Sequence, residues 1–171
     1  RRSSDLFAVD VGFGNTKFVL SNQDNNNLKC QSFPSVALPV TELNLDKGLS
    51  FKRDVLRVQH GEQEYYVGND IDTLGQLHTR VVHDQFIRTP QYHACLNGAL
   101  AQIAQNSIDL LVVGLPVSHL ESKGHKLKSS LIGRQHITAS QSVDIKNVLV
   151  LAQPIGGLID FIHQSRIYNS I

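Results

Sequence analysis

Two apolar runs separated by a short glycine-containing turn begin the chain. Residues 6–20 read LFAVDVGFGNTKFVL. Runs of this length, bounded by glycine and separated by so few residues, predict an antiparallel hairpin rather than a strand that enters a helix. A third strand is expected over residues 28–33, after the polar turn at residues 22–27. The pattern therefore predicts a three-stranded antiparallel meander.

The hydrophobic spacing becomes irregular between residues 34 and 86, where charged residues are also more frequent. Within this stretch, residues 54–59 and 64–68 flank the turn at residues 60–63 and are typical of a second hairpin. Residues 68–79 leave room for a short helix. We interpret the whole stretch as a small inserted subdomain.

Helical spacing begins at Thr89, a capping hydroxyl that is followed by Pro90 at the first helical position. The apolar repeat continues to Asn106. The continuous apolar run at residues 108–113 is suited to a buried central strand. A helix followed by a strand of the same sheet predicts an α/β crossover.

A second helix is expected over residues 119–131, because Ser118 and Glu121 have the spacing of a capping box. Gly133 is expected to close this helix. Leu120, Leu127 and Leu131 are expected on its inward face. Strands are predicted at residues 135–139 and 143–151, and a last helix is predicted to begin at Pro154.

The first turn has chemistry that suits a nucleotide. Its D-x-G-x-G-N-T-K spacing fits neither a Walker loop nor a dinucleotide fingerprint. Glycines allow positive φ and remove Cβ atoms, so that backbone N–H groups can converge on an anion. Lys17 can add a charge. Asp10 would repel a bare phosphate, so we interpret it as holding a hydrated Mg²⁺. The alternative is an ordinary Gly-Asn hairpin with an incidental aspartate.

The DVGFGNTK stretch resembles the first phosphate loop of the actin, sugar-kinase and heat-shock chaperone ATPase superfamily. Among its members, the chain most resembles actin-like proteins of the ParM/StbA plasmid-segregation type, to which VVGLPVS at residues 112–118 is also similar. The resemblance implies a ribonuclease H-like mixed α/β sheet, with three antiparallel strands followed by strand–helix crossovers. It also implies subdomain IA at residues 1–33 and 87–171, inserted subdomain IB at residues 34–86, and length for the first of two lobes only.

The resemblance further implies ATP and Mg²⁺ as ligands. It assigns the phosphates to Gly12, Phe13, Gly14, Asn15, Thr16 and Lys17, and the metal, through water, to Asp10. It makes Gln153 the candidate that positions the attacking water. Some family members place this polar residue after the proline, where the chain has Ile155, so the register stays open. A helix-capping Gln153 without catalysis is the alternative.

Composition narrows the function classes. The net charge of +1 over 171 residues gives no support for direct nucleic-acid binding. No apolar run approaches a membrane span, and no signal peptide is recognised. Cys30 and Cys95 make no disulfide framework, which favours a reducing cytoplasm, and Cys95 is expected in the core. The absence of methionine suggests a fragment or a processed product.

The histidines and lysines give weaker signals. His78 and His83 lie five residues apart, His93 and His136 are isolated, and no Cys or carboxylate joins them at zinc-like spacing. We therefore expect no zinc-type site. The basic residues near Lys123, Lys126 and Lys128 are most simply the solvated face of their helix.

Three functions remain open. The first is the N-terminal lobe of a filament-forming ATPase that partners with itself and with a DNA-binding adaptor in plasmid segregation. The second is a small-molecule kinase of the same superfamily. The third is a non-catalytic assembly module built on an actin-like lobe.

Overall fold

The computed structural model describes residues 6–21, 28–42, 54–71, 86–103 and 105–153. The predicted last helix and most of the predicted short helix at residues 68–79 lie outside these ranges. The helices are α1 (Pro90–Ile103) and α2 (Val117–Leu131). The strands are β1 (Leu6–Val11), β2 (Asn15–Ser21), β3 (Leu28–Pro34), β4 (Leu38–Pro39), β5 (Val55–His60), β6 (Gln63–Gly68), β7 (Ser107–Ile108), β8 (Leu110–Leu115), β9 (Gly133–His136), β10 (Ser142–Ile145) and β11 (Val148–Ala152).

The main sheet has five strands in the order β11-β8-β1-β2-β3. The predicted meander is confirmed, because β1 pairs antiparallel with β2 and β2 pairs antiparallel with β3. Strand β8 then runs parallel to β1, and β11 runs parallel to β8. The predicted mixed sheet with strand–helix crossovers is therefore the fold of the chain.

One face of this sheet carries the core. Alternate side chains of β1 and β8 are buried, as their two-residue period requires, and they share one hydrophobic cluster with side chains of both helices. The clustered residues of these two strands are Phe7, Val9, Val11, Leu111, Val113 and Leu115. The intervening residues, among them Asp10 and Gly114, lie on the opposite face.

Two small sheets complete the described structure, with strand orders β7-β10-β9 and β4-β6-β5. The predicted second hairpin is formed by β5 and β6, with a turn at residues 61–62 that is tighter than expected. The Asn97 side chain donates to Gln59 O (2.6 Å), and Gln59 N donates to Ile137 O (2.8 Å). These bonds hold the hairpin against α1 and against the residue that follows β9. The boundaries of the inserted subdomain stay a prediction.

Two predicted strands are each divided between two sheets. The run predicted over residues 143–151 forms β10 and β11, which are separated at Lys146 and Asn147. The run at 108–113 is divided at Asp109, so that Ile108 belongs to β7. Polar residues interrupt pairing where the chain passes from one sheet to the next, and apolar alternation is the same in both sheets.

The helix starts follow their prolines. Tyr92 N donates to Thr89 Oγ1 (3.3 Å), which confirms the predicted cap of α1. The capping box predicted for α2 is wrong, because Pro116 occupies the N-cap and no side chain caps the helix. The fixed φ of proline suits a helix entry, so α2 begins at Val117 and includes Ser118. None of the helices in the described ranges is long and apolar enough to cross a membrane.

Candidate functional site

Three parallel strands bring three residues to one edge of the main sheet. Asp10 lies near the end of β1, Gly114 near the end of β8, and Gln153 directly after β11. The carboxyl ends of parallel strands point the same way, and clefts at this edge are the usual ligand sites of open α/β sheets. Residues far apart in sequence therefore meet at a position that favours ligand binding.

Asp10 and Gln153 contact each other directly. Gln153 Nε2 donates to Asp10 Oδ1 across 2.7 Å, although 143 residues separate them. The two residues that the resemblance assigned to the metal and to the attacking water are thus brought together. A carboxylate offers about four lone-pair sites, so accepting one bond from Gln153 leaves it able to accept others.

Gly114 makes this contact possible. A Cβ atom at this position would lie 2.7 Å from Asp10 Oδ1 and 3.1 Å from Gln153 Cγ. Real Cβ atoms do not approach oxygen this closely, so any side chain here would shift the Asp10 carboxylate away from its present position. Sequence reasoning missed this role. Its only signal was a glycine directly after a buried apolar run.

Lys17 lies beside the carboxylate and is exposed. It is the cross-strand partner of Asp10 in the β1–β2 hairpin, so both side chains are on the same face of the sheet. Together with Gly114 and Gln153 they line a cavity of about 630 Å³. This volume falls within the roughly 300–1,000 Å³ of small-molecule sites, and the lining combines apolar side chains with a few polar ones, as such sites usually do.

The turn itself is partly occupied by its own bonds. Gly12 N donates to Asn15 O (3.1 Å), and Ser35 N donates to Gly14 O (3.0 Å). The expected positive φ is not found, since among the described glycines it occurs at positions 61, 68 and 133. The amide of Gly12 is therefore used inside the turn, and its part in phosphate binding stays a prediction.

Thr16 lies on the core side of the hairpin. Its side chain is fully buried, and its hydroxyl is 2.9 Å from Ser35 Oγ. A role in phosphate binding can therefore come only from its backbone and stays a prediction.

Cys95 is buried and is a core residue, as expected. Burial raises the pKa of its thiol to about 12, although a side-chain hydrogen bond with Thr16 acts in the opposite direction.

A series of rings connects this turn to the tip of the second hairpin. Phe13 lies in the turn and packs on Phe86, with ring centroids 5.7 Å apart. Phe86 contacts Tyr92 edge-on at 5.7 Å, and Tyr92 contacts His93 at 5.5 Å. His93 stacks on His60, with centroids 4.5 Å apart and an interplanar angle of 4°. His93, which is isolated in the sequence, therefore has a second histidine as a neighbour in the fold.

Tyr92 has the most enclosed of these polar rings. Its hydroxyl is buried and has no hydrogen-bond partner in the described structure. Burial raises its pKa, and the nearby charges of Asp10 and Cys95 act in the same direction. The tyrosine is therefore neutral at physiological pH and acts here as a packing residue.

The histidine stack predicts acid sensitivity. Burial, and secondly His60, lower the pKa of His93 from 6.5 to about 4. The His93 imidazole binds a proton more tightly in the unfolded chain than in the folded one. The free energy of unfolding is therefore highest above pH 6.5 and decreases as the pH falls from 6.5 towards 4. The loss is at most about 3 kcal/mol. His93→Phe, which keeps a ring but cannot be protonated, should reduce this loss in urea unfolding measured across that pH range.

His125→Gln is the matched control, because His125 is exposed on α2 and its substitution should leave the wild-type pH profile unchanged. If His93→Phe retained the same acid-induced loss as the wild type, the stack would not be the origin of it.

The described residues contain no group of three or more His, Cys, Asp or Glu side chains that could hold a metal ion. His78 and His83 lie outside the described ranges. The single carboxylate of Asp10 suits the way Mg²⁺ is usually held, by one or two carboxylates together with waters and substrate phosphates. Asp10 is thus the residue that would hold a magnesium ion, and the metal itself stays a prediction.

The comparisons with known proteins agree with this architecture. A family model described as "Actin like proteins N terminal domain" matches residues 8–156. No curated protein matches the sequence. Solved structures with the same fold include apo ParM of psk41, with a TM-score of 0.65 and 19% identity over 92% of this chain and 52% of that chain.

Two further structures are similar. The AlfA filament bound to AMPPNP has a TM-score of 0.62 and 18% identity over 91% of this chain and 57% of that chain. The archaeal actin homologue Ta0583 has a TM-score of 0.65 and 14% identity over 94% of this chain and 49% of that chain. The chain thus spans about half the length of these proteins. Because the family model matches most of the sequence, the chain belongs to the actin-like proteins and carries their N-terminal domain.

Proposed function

We propose that this chain is the nucleotide-binding N-terminal lobe of an actin-like ATPase. The observation that carries the proposal is the contact between Asp10 and Gln153 over Gly114, at the carboxyl ends of three parallel strands. Phosphoryl transfer relies on positioning and electrostatic stabilisation more than on covalent chemistry. A fixed carboxylate, an oriented amide and an exposed lysine at one cavity meet that need.

Each residue has a defined part in this proposal. Lys17 supplies positive charge to the nucleotide phosphates. Asp10 would hold Mg²⁺ through water. The metal ion, when bound, would neutralise negative charge on the phosphates. Gln153 donates one amide hydrogen to Asp10, and its amide oxygen is then oriented to accept a hydrogen bond from the attacking water. The backbone of residues 13–15 is the remaining part of the proposed phosphate loop, although these residues do not line the cavity in the described structure.

Self-assembly is the second part of the proposal. One similar structure is an AlfA filament bound to AMPPNP, and another is Ta0583 in complex with ADP. We infer that the protein forms filaments with nucleotide, and that it acts in the cytoplasm on plasmid DNA through a DNA-binding adaptor. Sedimentation with and without ATP·Mg²⁺ tests the filament directly.

Nucleotide binding is tested at Lys17. Lys17→Gln removes a charge-assisted contact worth about 1.5–3 kcal/mol, so we expect ATP affinity to fall about 10- to 100-fold. Isothermal titration of the protein with ATP in the presence of Mg²⁺ measures this change. Lys146→Gln is the matched control, because Lys146 pairs with Asp109 on the surface and lies outside the cavity lining.

An equal affinity for ATP in the wild type and Lys17→Gln would remove Lys17 from the site. The use of the Gly12 amide inside the turn favours one other function, a non-catalytic assembly module. That alternative predicts sedimentation without nucleotide and no heat of ATP binding, so the same two measurements separate the candidates.

A further inference from the structure

A second, smaller groove lies between the start of α1 and one face of α2. Its volume is about 220 Å³. One wall comes from the 3-10 helix Phe86–Arg88 and the first turn of α1, and the other comes from α2. The lining residues with polar side chains are Arg88, His93, Ser122, Lys123, Lys126 and Ser130.

The charged side chains that line this groove are all basic. Arg88 approaches from one wall, while Lys126 and Lys123, whose Nζ lies 3.5 Å from His119 Nε2, are on the same side of α2. No carboxylate is among the described residues that line it. Like charges around one small volume repel one another, and a bound anion converts that repulsion into attraction. The arrangement therefore favours an anionic ligand.

The donors also match one chemical class. An arginine fork, lysine ammonium groups and the Ser122 hydroxyl are the groups that commonly bind phosphate oxygens. His93 can add an imidazole N–H from the wall opposite α2. The groove is smaller than the roughly 300–1,000 Å³ of drug-sized ligand sites, so it suits an anionic group rather than a whole nucleotide.

We propose that this groove is an oxyanion site that binds the phosphate group of a small ligand. It is separate from the proposed nucleotide site, because α1 and α2 pack on the core face of the main sheet, whereas Asp10, Lys17 and Gln153 lie on the opposite face. The proposal does not depend on the ATPase function.

The competing explanation is that the lysines are a solvated helix face whose charges offset the negative end of the helix dipole. Lys128 provides the comparison. It is an exposed lysine on the same helix, two residues beyond Lys126, but it lines a different depression on the surface. Dipole compensation would favour Lys128, which lies in the last turn of α2, whereas an oxyanion site requires Lys126.

Thermal unfolding in inorganic phosphate, against sodium chloride at equal ionic strength and pH 7.5, tests the proposal. At a phosphate concentration about tenfold above the dissociation constant, the protein's Tm should rise by about 3–6 °C. Arg88→Gln and Lys126→Gln should abolish the rise. Both residues are exposed, so neither substitution should prevent folding.

Lys128→Gln and Lys17→Gln should keep the rise. Lys17→Gln is included because phosphate could instead bind at the proposed nucleotide site. If only Lys17→Gln lost the rise in Tm, the proposal that phosphate binds in the groove would be overturned. The proposal is also overturned if phosphate gives no rise, or if Lys126→Gln and Lys128→Gln lose it equally.

Discussion

Under the proposed function, Asp10→Asn in the complete two-lobed protein is expected to lower Mg²⁺-dependent ATP hydrolysis by about 10²- to 10³-fold, the scale on which one preorganised electrostatic group acts. The asparagine oxygen can still accept the hydrogen bond from Gln153 Nε2, so the local structure should survive the change. What disappears is the negative charge that would hold the hydrated metal ion. Phosphate release measured over a Mg²⁺ titration reports this effect.

Asp109→Asn is the matched control, because it removes a carboxylate that pairs with Lys146 away from the cavity, and it should hydrolyse ATP at the wild-type rate. Gly114→Ala tests the same mechanism by changing the position of the carboxylate instead of its charge. It keeps both Asp10 and Gln153, but its Cβ would lie 2.7 Å from Asp10 Oδ1 and would shift that carboxylate, so it should also lower the rate. Undiminished hydrolysis in Asp10→Asn would remove Asp10 from the mechanism.

Gly68→Ala is expected to destabilise the protein by about 2–5 kcal/mol. Gly68 has φ of +141°, where side chains are strained, and a Cβ there would lie 2.3 Å from the backbone oxygen of Asp54. Backbone atoms cannot move aside as the end of a side chain can. Because whole domains are stable by only about 5–15 kcal/mol, the expected loss is large. Urea unfolding followed by circular dichroism measures it.

Gly61→Ala separates the two causes of this effect. Gly61 also has a positive φ, +60°, but no atom lies within 4 Å of a Cβ built there. This variant should therefore lose only the conformational share, about 1 kcal/mol. Equal losses at the two positions would show that neither the contact with Asp54 nor the more restricted φ of +141° adds to the cost.

Local patterns predicted the elements whose causes are local. The β1–β2 hairpin and the start of α1 depend on apolar alternation, on a short turn and on Thr89 before Pro90, all of which can be seen within a few residues. The capping box before α2 failed for an equally local reason. Pro116 fixes the helix entry, and Ser118 is left inside the helix.

The division of strands between sheets could not be predicted in this way. Ile145 and Val148 lie three residues apart and are equally buried, yet they belong to different sheets. A strand's own side chains specify its alternation, but its partner is chosen by packing elsewhere in the chain. The stack of His60 on His93 escaped prediction for the same reason, since it depends on how the second hairpin docks on α1.

The candidate site was predicted in part. The residues alone indicated an anion-binding turn beside Asp10, and Gln153 entered only through the family resemblance. Nothing local links the two, because the hydrogen bond between them requires the parallel pairing of three strands. The role of Gly114 depends entirely on its neighbours, so a glycine in the sequence could not reveal it.

The ring series from Phe13 to His60 has a consequence for how the molecule opens. Its four contacts are consecutive, so a hairpin tip that left α1 would uncover His93 at one end of the same packed series that holds Phe13 at the other end. The backbone amides of β5 and of residues 12–15 should therefore exchange with deuterium as one cooperative unit, with similar opening free energies. If the two segments share their opening, protonation at the histidine stack should also speed exchange at residues 12–15.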